Sequence, residues 1–346
     1  MIDCVVGGQY GSEGKGKVVA WMTLNKMYHA VVRCGGPNAG HSWHYKGKYY
    51  KFRQVPCGMM DWLCQLWIAA GSYVDPEIVS QEIYDYQLDP YMITIDPAAG
   101  MVTGYNRAGE HTSSGDGDMW KRIGSTRSGT GHATMMKVMR EGPLVGMHKA
   151  SFPVGVNFEN ISNKIYRYHS FGKSVLIEGT QGAALSLHHS GHYPFCTSRD
   201  THAATFLGEA GVGPKDVDKI IMVIRTFPIR VGGNSGTLPS EISWEEVTKI
   251  SGYPTPLQEK TSVSKTIRRV AMFDFDQLIY AARLNSATHF VLTGLDYLDY
   301  SNLGKREQGL LTHHTRKFIE NVQATIPKVK LLGLSTGPDL EDMIWV

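Results

Sequence analysis

The chain has 346 residues, of which 42% are apolar and 19% charged, with a formal charge of +3. That length holds one large domain or two average ones, and that balance excludes disorder and coiled coil. The charge is too mild to call for a nucleic-acid or membrane partner.

Residues 1–17 carry no basic n-region and no long apolar run, so they read as a strand entering a loop rather than a signal peptide. The apolar stretch near Leu63 to Ala70 is far short of the ~20 residues of a membrane span. Five cysteines, odd in number and without CxxC spacing, fit a reducing, cytoplasmic setting. Short apolar strands are expected at Ile2–Val6, Ala30–Arg33, Ser174–Ile177, Ile220–Ile224, Phe290–Leu292 and Val329–Leu332, most of them running into glycine-rich turns. Helices are expected at Lys17–Met27, Trp244–Ile250 and Phe275–Leu284. Near-continuous apolar strands alternating with helices predict an α/β fold with a mostly parallel central sheet. Residues 75–170 read as an inserted helical and loop cap. No repeat or linker splits the chain, so 1–346 is expected as a single domain.

Ligands of such sheets bind beyond the carboxyl ends of the strands, where the glycines cluster here. Gly11-Ser12-Glu13-Gly14-Lys15-Gly16-Lys17-Val18 lies between a predicted strand and a predicted helix, and it nearly matches a P-loop. Glycines let backbone N–H groups face an anion, the helix N-terminus adds positive potential, and the lysines add charge. Val18 replaces the hydroxyl residue that usually ligates Mg²⁺, so that ligand must come from elsewhere. The second cluster, Gly35-Gly36-Pro37-Asn38-Ala39-Gly40-His41-Ser42, also follows a strand. His41 in this setting could donate to a phosphate or be a surface histidine in a tight turn.

Together these clusters resemble the adenylosuccinate synthetase family, which has QWGDEGKGK at Gln9–Lys17 and GGxNAGHT at Gly35–Ser42. Collinear likenesses continue at Ile123–Thr126, Glu178–Gly182, Tyr193–Ser198, Arg230–Gly233, Leu292–Asp296 and Ser335–Pro338. The resemblance implies a ligase that moves the γ-phosphoryl of a nucleoside triphosphate onto a purine 6-oxygen, which the aspartate amine then displaces. It implies Ser12, Lys15, His41 and Gln181 as the catalytic set. Gly11, Glu13, Gly14, Lys15, Gly16, Lys17, Gly40, His41, Ser42, Arg268, Asp296, Ser335, Gly337 and Pro338 would hold the triphosphate. Ser12, Asn38, Thr126, Gln181 and Thr197 would hold the purine monophosphate, and Arg140 would reach it across a homodimer interface. Val263, Ser264, Lys265, Thr266 and Arg268 would hold aspartate. Mg²⁺ would meet Ser12 and the Gly40 carbonyl.

Three departures matter. Ser12 stands where the family has an aspartate that takes the purine N1 proton and ligates Mg²⁺, and a serine hydroxyl is no base near neutral pH. This resembles the phage branch of the family, the 2-aminoadenylosuccinate synthases, which act on dGMP in making 2,6-diaminopurine. A short neutral side chain leaves room for the 2-amino group of guanine. Glu13, metal-bound water and solvent are candidates for the proton. Gly294 replaces a lysine that contacts the guanine of GTP, which points to ATP or dATP. Thr266 replaces one of four arginines, leaving Lys265, Arg268 and Arg269. The resulting expectation is ligation of L-aspartate to dGMP with ATP, in host cytoplasm if the chain is phage-encoded. The alternatives are ordinary synthesis from IMP and GTP, and an inactive nucleotide-binding paralogue.

Other signals are read as structural. His188, His189 and His192 lack a fourth ligand for zinc. Asp116 and Asp118 fit an exposed turn, and Cys4 and Cys34 a core. Trp62, Trp67 and Tyr73 read as core rather than a stacking platform.

Overall fold

The computed structural model describes residues 1–25, 27–112, 119–261 and 266–346. Along the chain the strands are β1 (Ile2–Gly7), β2 (Ala30–Arg33), β3 (His41–Tyr45), β4 (Lys48–Phe52), β5 (Gln65–Ile68), β6 (Tyr73–Val74), β7 (Ile93–Ile95), β8 (Gly100–Met101), β9 (Asn157–Phe158), β10 (Val175–Glu178), β11 (Lys219–Arg225), β12 (Ile229–Arg230), β13 (Glu241–Ile242), β14 (Arg269–Ala271), β15 (His289–Thr293), β16 (Lys330–Ser335) and β17 (Met343–Trp345). The helices are α1 (Lys15–Leu24), α2 (Pro76–Tyr86), α3 (Gly104–Thr112), α4 (Met119–Ile123), α5 (Thr130–Met139), α6 (Ile161–Ser170), α7 (Ala203–Ala210), α8 (Trp244–Ser251), α9 (Phe275–Asn285), α10 (Leu295–Leu298) and α11 (His313–Thr325).

Among the described residues, ten strands form one sheet in the order β17-β16-β15-β11-β1-β10-β2-β5-β7-β9. Every pairing is parallel except β16 with β17. The apolar runs explain the arrangement, because a strand covered on both faces needs no polar alternation. Ile2, Cys4 and Val6 point into one core with α6, α7, α9 and α11, while Val5, Val31 and Leu176 point into the other with α1 and α2. Cys4 and Cys34 are fully buried, as expected of core residues. Asp3 interrupts the run on β1, and its Oδ2 accepts the Tyr28 hydroxyl at 2.6 Å, while its buried Oδ1 has no partner among the described residues.

The six expected strands all lie in this sheet. The expected Lys17–Met27 helix starts earlier, at Lys15, because Gly14 takes the N-cap in a left-handed conformation (φ 90°). The cap expected over 75–170 does not fill that span. β7 and β9 join the sheet and α2 and α6 cover its faces, so the part outside these layers is built on α3, α4 and α5. Asp116 and Asp118 lie outside the described residues. Trp67 and Tyr73 are core, but Trp62 is 80% exposed. Asp61 Oδ1 accepts the Leu63 N–H at 3.0 Å, and that tight turn throws Trp62 outward. No described helix is long and apolar enough to cross a membrane.

Candidate active site

The carboxyl ends of β1, β2, β10, β11, β15 and β16 converge on two cavities of about 450 Å³ and 350 Å³, joined by a small one of about 70 Å³. The first of these is walled by Gly11–Lys17, Gly40–Ser42, Arg225, Asp296 and the Ser335–Pro338 turn. The second is lined by Asn38, Thr126, Gln181, Thr197 and the Tyr193–Ser198 loop. Ser12, Asn38, Gly40, Thr126, Gln181 and Arg268 all line the small junction. The three parts suit a donor, an acceptor and the place where they meet.

In the loop before α1, no side chain caps the helix, so its first N–H groups are open to an anion. Glu13 is buried under the loop. Its Oε1 accepts the N–H groups of Gln9 (3.0 Å) and Gly11 (2.7 Å), and its Oε2 meets Lys15 Nζ at 2.7 Å. Lys17 reaches across the cavity floor and donates to Ser335 Oγ at 2.8 Å and the Gly337 carbonyl at 2.6 Å. Burial lowers its ammonium to about 8, despite the nearby carboxylates of Asp342, Asp296 and Asp339. Lys17 therefore ties α1 to the turn after β16 as well as lining the donor cavity.

His41 opens β3, and Gly16 of α1 packs against it. A Cβ on Gly16 would come within 2.4 Å of the His41 Cβ, so only glycine permits this approach. The imidazole Nδ1 donates to Glu178 Oε1, which also accepts Arg33 Nη1 at 2.6 Å. Sheet register makes this cluster, because Arg33 and Glu178 are direct partners across β2 and β10. Glu178 Oε2 accepts the Cys57 N–H at 2.8 Å. Although desolvation pushes it up, Arg33, His41 and Cys57 hold the Glu178 carboxyl well below its ordinary range. Burial, and then the Arg33 guanidinium, lower His41 to about 4. The ring is thus neutral near pH 7, and its buried Nε2 has no partner among the described residues. A buried nitrogen so placed on a cavity wall fits contact with a ligand oxygen that shares a proton with it.

On the far wall, Glu259 binds Arg225, accepts Arg268 Nη1 at 3.1 Å and accepts the Tyr297 hydroxyl at 2.9 Å. Arg225 stacks 4.8 Å from the Tyr297 ring centre and donates to the Ser12 carbonyl at 3.3 Å. The Nε groups of Arg225 and Arg268 are buried without acceptors among the described residues, a state that suits an anion site. Burial raises the Asp296 carboxyl above its ordinary value, against the Tyr253 hydrogen bond and Arg225.

In the acceptor cavity, Asn38 Nδ2 donates to Thr197 Oγ1 at 3.5 Å, and Thr126 Oγ1 lies 2.8 Å from Ser128 Oγ. Gln181 has φ 63°, an unusual conformation for a side-chain-bearing residue and one that clusters at functional sites. Arg140, at the C-cap of α5, is exposed and lines none of these cavities. Thr266 sits beside Thr261 with hydroxyls 3.1 Å apart, outside the cavity walls, while Thr261 itself lines the junction. Val263, Ser264 and Lys265 lie outside the described residues. The three histidines do not share one site: His188 Nδ1 pairs with Asp200 at 2.8 Å and His189 groups with Asp200 and His202, their ligand atoms within 4.8 Å of one another, whereas the His192 ring lies 5.9 Å from Tyr10.

The adenylosuccinate synthetase family model matches residues 4–152 and 153–305. The chain belongs to the adenylosuccinate synthetase family. The adenylosuccinate synthetase of Methanocaldococcus jannaschii is 35% identical over 98% of this chain and 95% of its own length. That of Pyrococcus horikoshii is 36% identical over 98% and 97%. Among solved structures, the cyanophage S-2L succinoaminodeoxyadenylate synthetase (PurZ), bound to dGMP and dATP as an energy donor, has a TM-score of 0.80 at 24% identity, covering 99% of this chain and 95% of that one. Fully ligated adenylosuccinate synthetase from Plasmodium falciparum has a TM-score of 0.86 at 18% identity, covering 99% of each. These two likenesses carry the α/β fold with its mostly parallel sheet. As a family member the chain is a nucleotide-binding, carbon–nitrogen bond-forming ligase of purine biosynthesis.

Reading the sequence missed the residues that hold this family member's site from behind: Arg33, Glu178, Arg225 and Glu259. The signal was present for three of them. Arg33 and Glu178 end otherwise apolar buried strands and Arg225 follows the apolar run of residues 220–224 on β11, and a buried charge there must have a partner.

Proposed function

We propose that this family member joins L-aspartate to the 6-position of dGMP at the expense of ATP or dATP, giving N6-succino-2-amino-2′-deoxyadenylate, ADP and phosphate. The observation that carries this reading is Ser12 at the junction of the two cavities. A short, uncharged side chain there leaves space beside the purine N1 edge, and its oxygen can accept from a 2-amino group. The aspartate found in the family would bring bulk and charge to the same edge.

The surrounding residues suit the two half-reactions. The γ-phosphoryl leaves the donor as the purine 6-oxygen attacks it. The aspartate nitrogen then forms a bond to C6, and phosphate departs with the former 6-oxygen. His41 Nε2 and the loop N–H groups face the transferring phosphoryl, whose negative charge favours protonation of the imidazole. Glu13, its oxygens taken by Lys15 and two backbone N–H groups, orders the loop rather than receiving the N1 proton, which passes to solvent water as the 6-oxygen is phosphorylated. Arg268 and Thr261 would face the aspartate carboxylates at the junction. The Ser12 hydroxyl and the Gly40 carbonyl, which line the same cavity, would hold Mg²⁺ as hard neutral oxygen ligands. Bound there, it would neutralise charge developing on the phosphates.

The second reading, ordinary synthesis from IMP and GTP, is favoured by the names of the relatives at 35–36% identity. Phosphate release with Mg²⁺ and aspartate, crossing dGMP, GMP and IMP against ATP and GTP, separates the two. Aspartate-dependent turnover with dGMP and ATP, and little with IMP, is the expected result. Turnover confined to IMP with GTP would replace the proposal with the second reading.

A further inference from the structure

The donor cavity also holds a contact that phosphoryl transfer does not use. Asp296, on the first turn of α10, is buried and lines the cavity. Tyr253, just after α8, lines it too, and its hydroxyl donates to Asp296 Oδ2 at 2.6 Å. The Tyr253 ring is held by neighbours, 4.6 Å from the Tyr300 ring and edge-on to Tyr297 at 5.9 Å. Gly294, the residue before α10, has φ 77° and offers no side chain to a base. A Cβ there would meet Thr226 Oγ1 at 3.0 Å, and Thr226 is fixed by its own bond to the Gly294 carbonyl at 2.6 Å. Recognition at this wall therefore falls to the Asp296 carboxylate.

The two common purines present different donors to a carboxylate. Guanine offers N1–H and the 2-amino group side by side, a pair that needs both carboxylate oxygens. Adenine offers a single amino group, with the acceptor N1 beside it. A buried N–H left without an acceptor loses its hydration and gains nothing in return. Sites built on hydrogen bonds discriminate by this penalty. We infer that Tyr253 sets the choice of donor base: its hydroxyl competes with a ligand N–H for Oδ2 of Asp296 and leaves Oδ1 as the uncontested acceptor, which matches the single amino group of an adenine nucleotide and weakens one of the two N–H contacts of guanine. Tyr253 is in this sense a positioning residue acting through Asp296. The inference rests on the proposed function to the extent that this cavity holds the donor nucleotide.

The test is Tyr253→Phe, which removes the hydroxyl and keeps the ring packed on Tyr297 and Tyr300. Calorimetric titration with ADP and with GDP, each with Mg²⁺, gives the affinity ratio for the parent protein and the variant. Turnover with ATP and with GTP gives the same ratio in kcat/KM. The parent should prefer ADP, and the variant should shift toward GDP by about tenfold, the worth of one restored hydrogen bond to a charged acceptor. An unchanged ratio overturns the inference. Equal weakening of both nucleotides also overturns it, since that is what a merely structural role for Tyr253 produces. Binding of neither nucleotide by the parent removes both this inference and the donor assignment. A shifted binding ratio without ligation in any substrate combination sustains the inference and sinks the ligase reading alone.

Discussion

Burial and the Arg33 guanidinium give His41 an acidity of about 4, against an ordinary 6.5. An unfolded chain therefore takes up this proton between pH 6.5 and 4 while the folded one does not, so stability falls as pH drops through that window. Glu178 is depressed as well, and its contribution is present above the ordinary carboxylate range and lost below it. Urea denaturation at pH 7 and pH 5 should show the loss, and His41→Asn should shallow it. Replacing Glu178 with glutamine leaves Arg33 buried without its counter-charge and should cost about 3 kcal/mol at pH 7. His41→Ala should lower turnover by about a hundredfold or more, read by phosphate release, because a neutral methyl group cannot meet the transferring phosphoryl. Ser12→Asp should crowd the acceptor base and reduce kcat/KM for dGMP by about tenfold to a hundredfold. Unchanged dGMP kinetics in that variant would remove the steric argument for guanine.

Two glycines on helices separate packing from propensity. Gly16 on α1 faces His41, where a Cβ would lie 2.4 Å from the His41 Cβ. Gly16→Ala must push β3 off α1, so turnover should collapse and the melting temperature should fall. Gly208 on α7 has open space where its Cβ would be. Gly208→Ala should stabilise by about 0.4–1 kcal/mol in a denaturant titration, since alanine restricts the unfolded chain and costs nothing in the helix. The contrast also marks what a sequence can disclose. Buried parallel strands announce themselves as unbroken apolar runs, and the phosphate loop is local, so β1, its loop and α1 could be read directly. β7 and β9 are two or three residues long and carry no pattern that separates them from loop. The Arg33–Glu178–His41 cluster joins residues 137 and 145 positions apart through sheet register. The Glu178–Gly182 motif was visible, but its carboxylate's partner was not. Trp62 was misplaced because a tight turn, not hydrophobicity, decides where it points.

At the scale of the whole molecule, the acceptor cavity mixes apolar walls such as Leu185, Leu187 and Phe195 with hydroxyl and amide side chains and with Arg122, Arg230 and Glu110, and the arginine expected to meet the monophosphate is elsewhere. Arg140 sits exposed at the left-handed C-cap of α5 and lines neither of the two large cavities of its own chain. Met135, Val138 and Met139 are also exposed on α5, so this helix presents an apolar face beside the arginine. A two-fold pair joined through that face could deliver each Arg140 to the opposite site, since an isologous interface exchanges equivalent residues. Mixing variants tests this directly. Arg140→Ala and His41→Ala should each be nearly inactive as separate homodimers. When the two are mixed and allowed to exchange subunits, half the dimers become mixed pairs. Each mixed pair holds one site with both residues missing and one site with both present, so recovery should approach about a quarter of the parent activity. Recovery that depends on subunit exchange would place Arg140 in the site across the interface. A mixture no more active than its components would leave Arg140 to its own chain or to the surface.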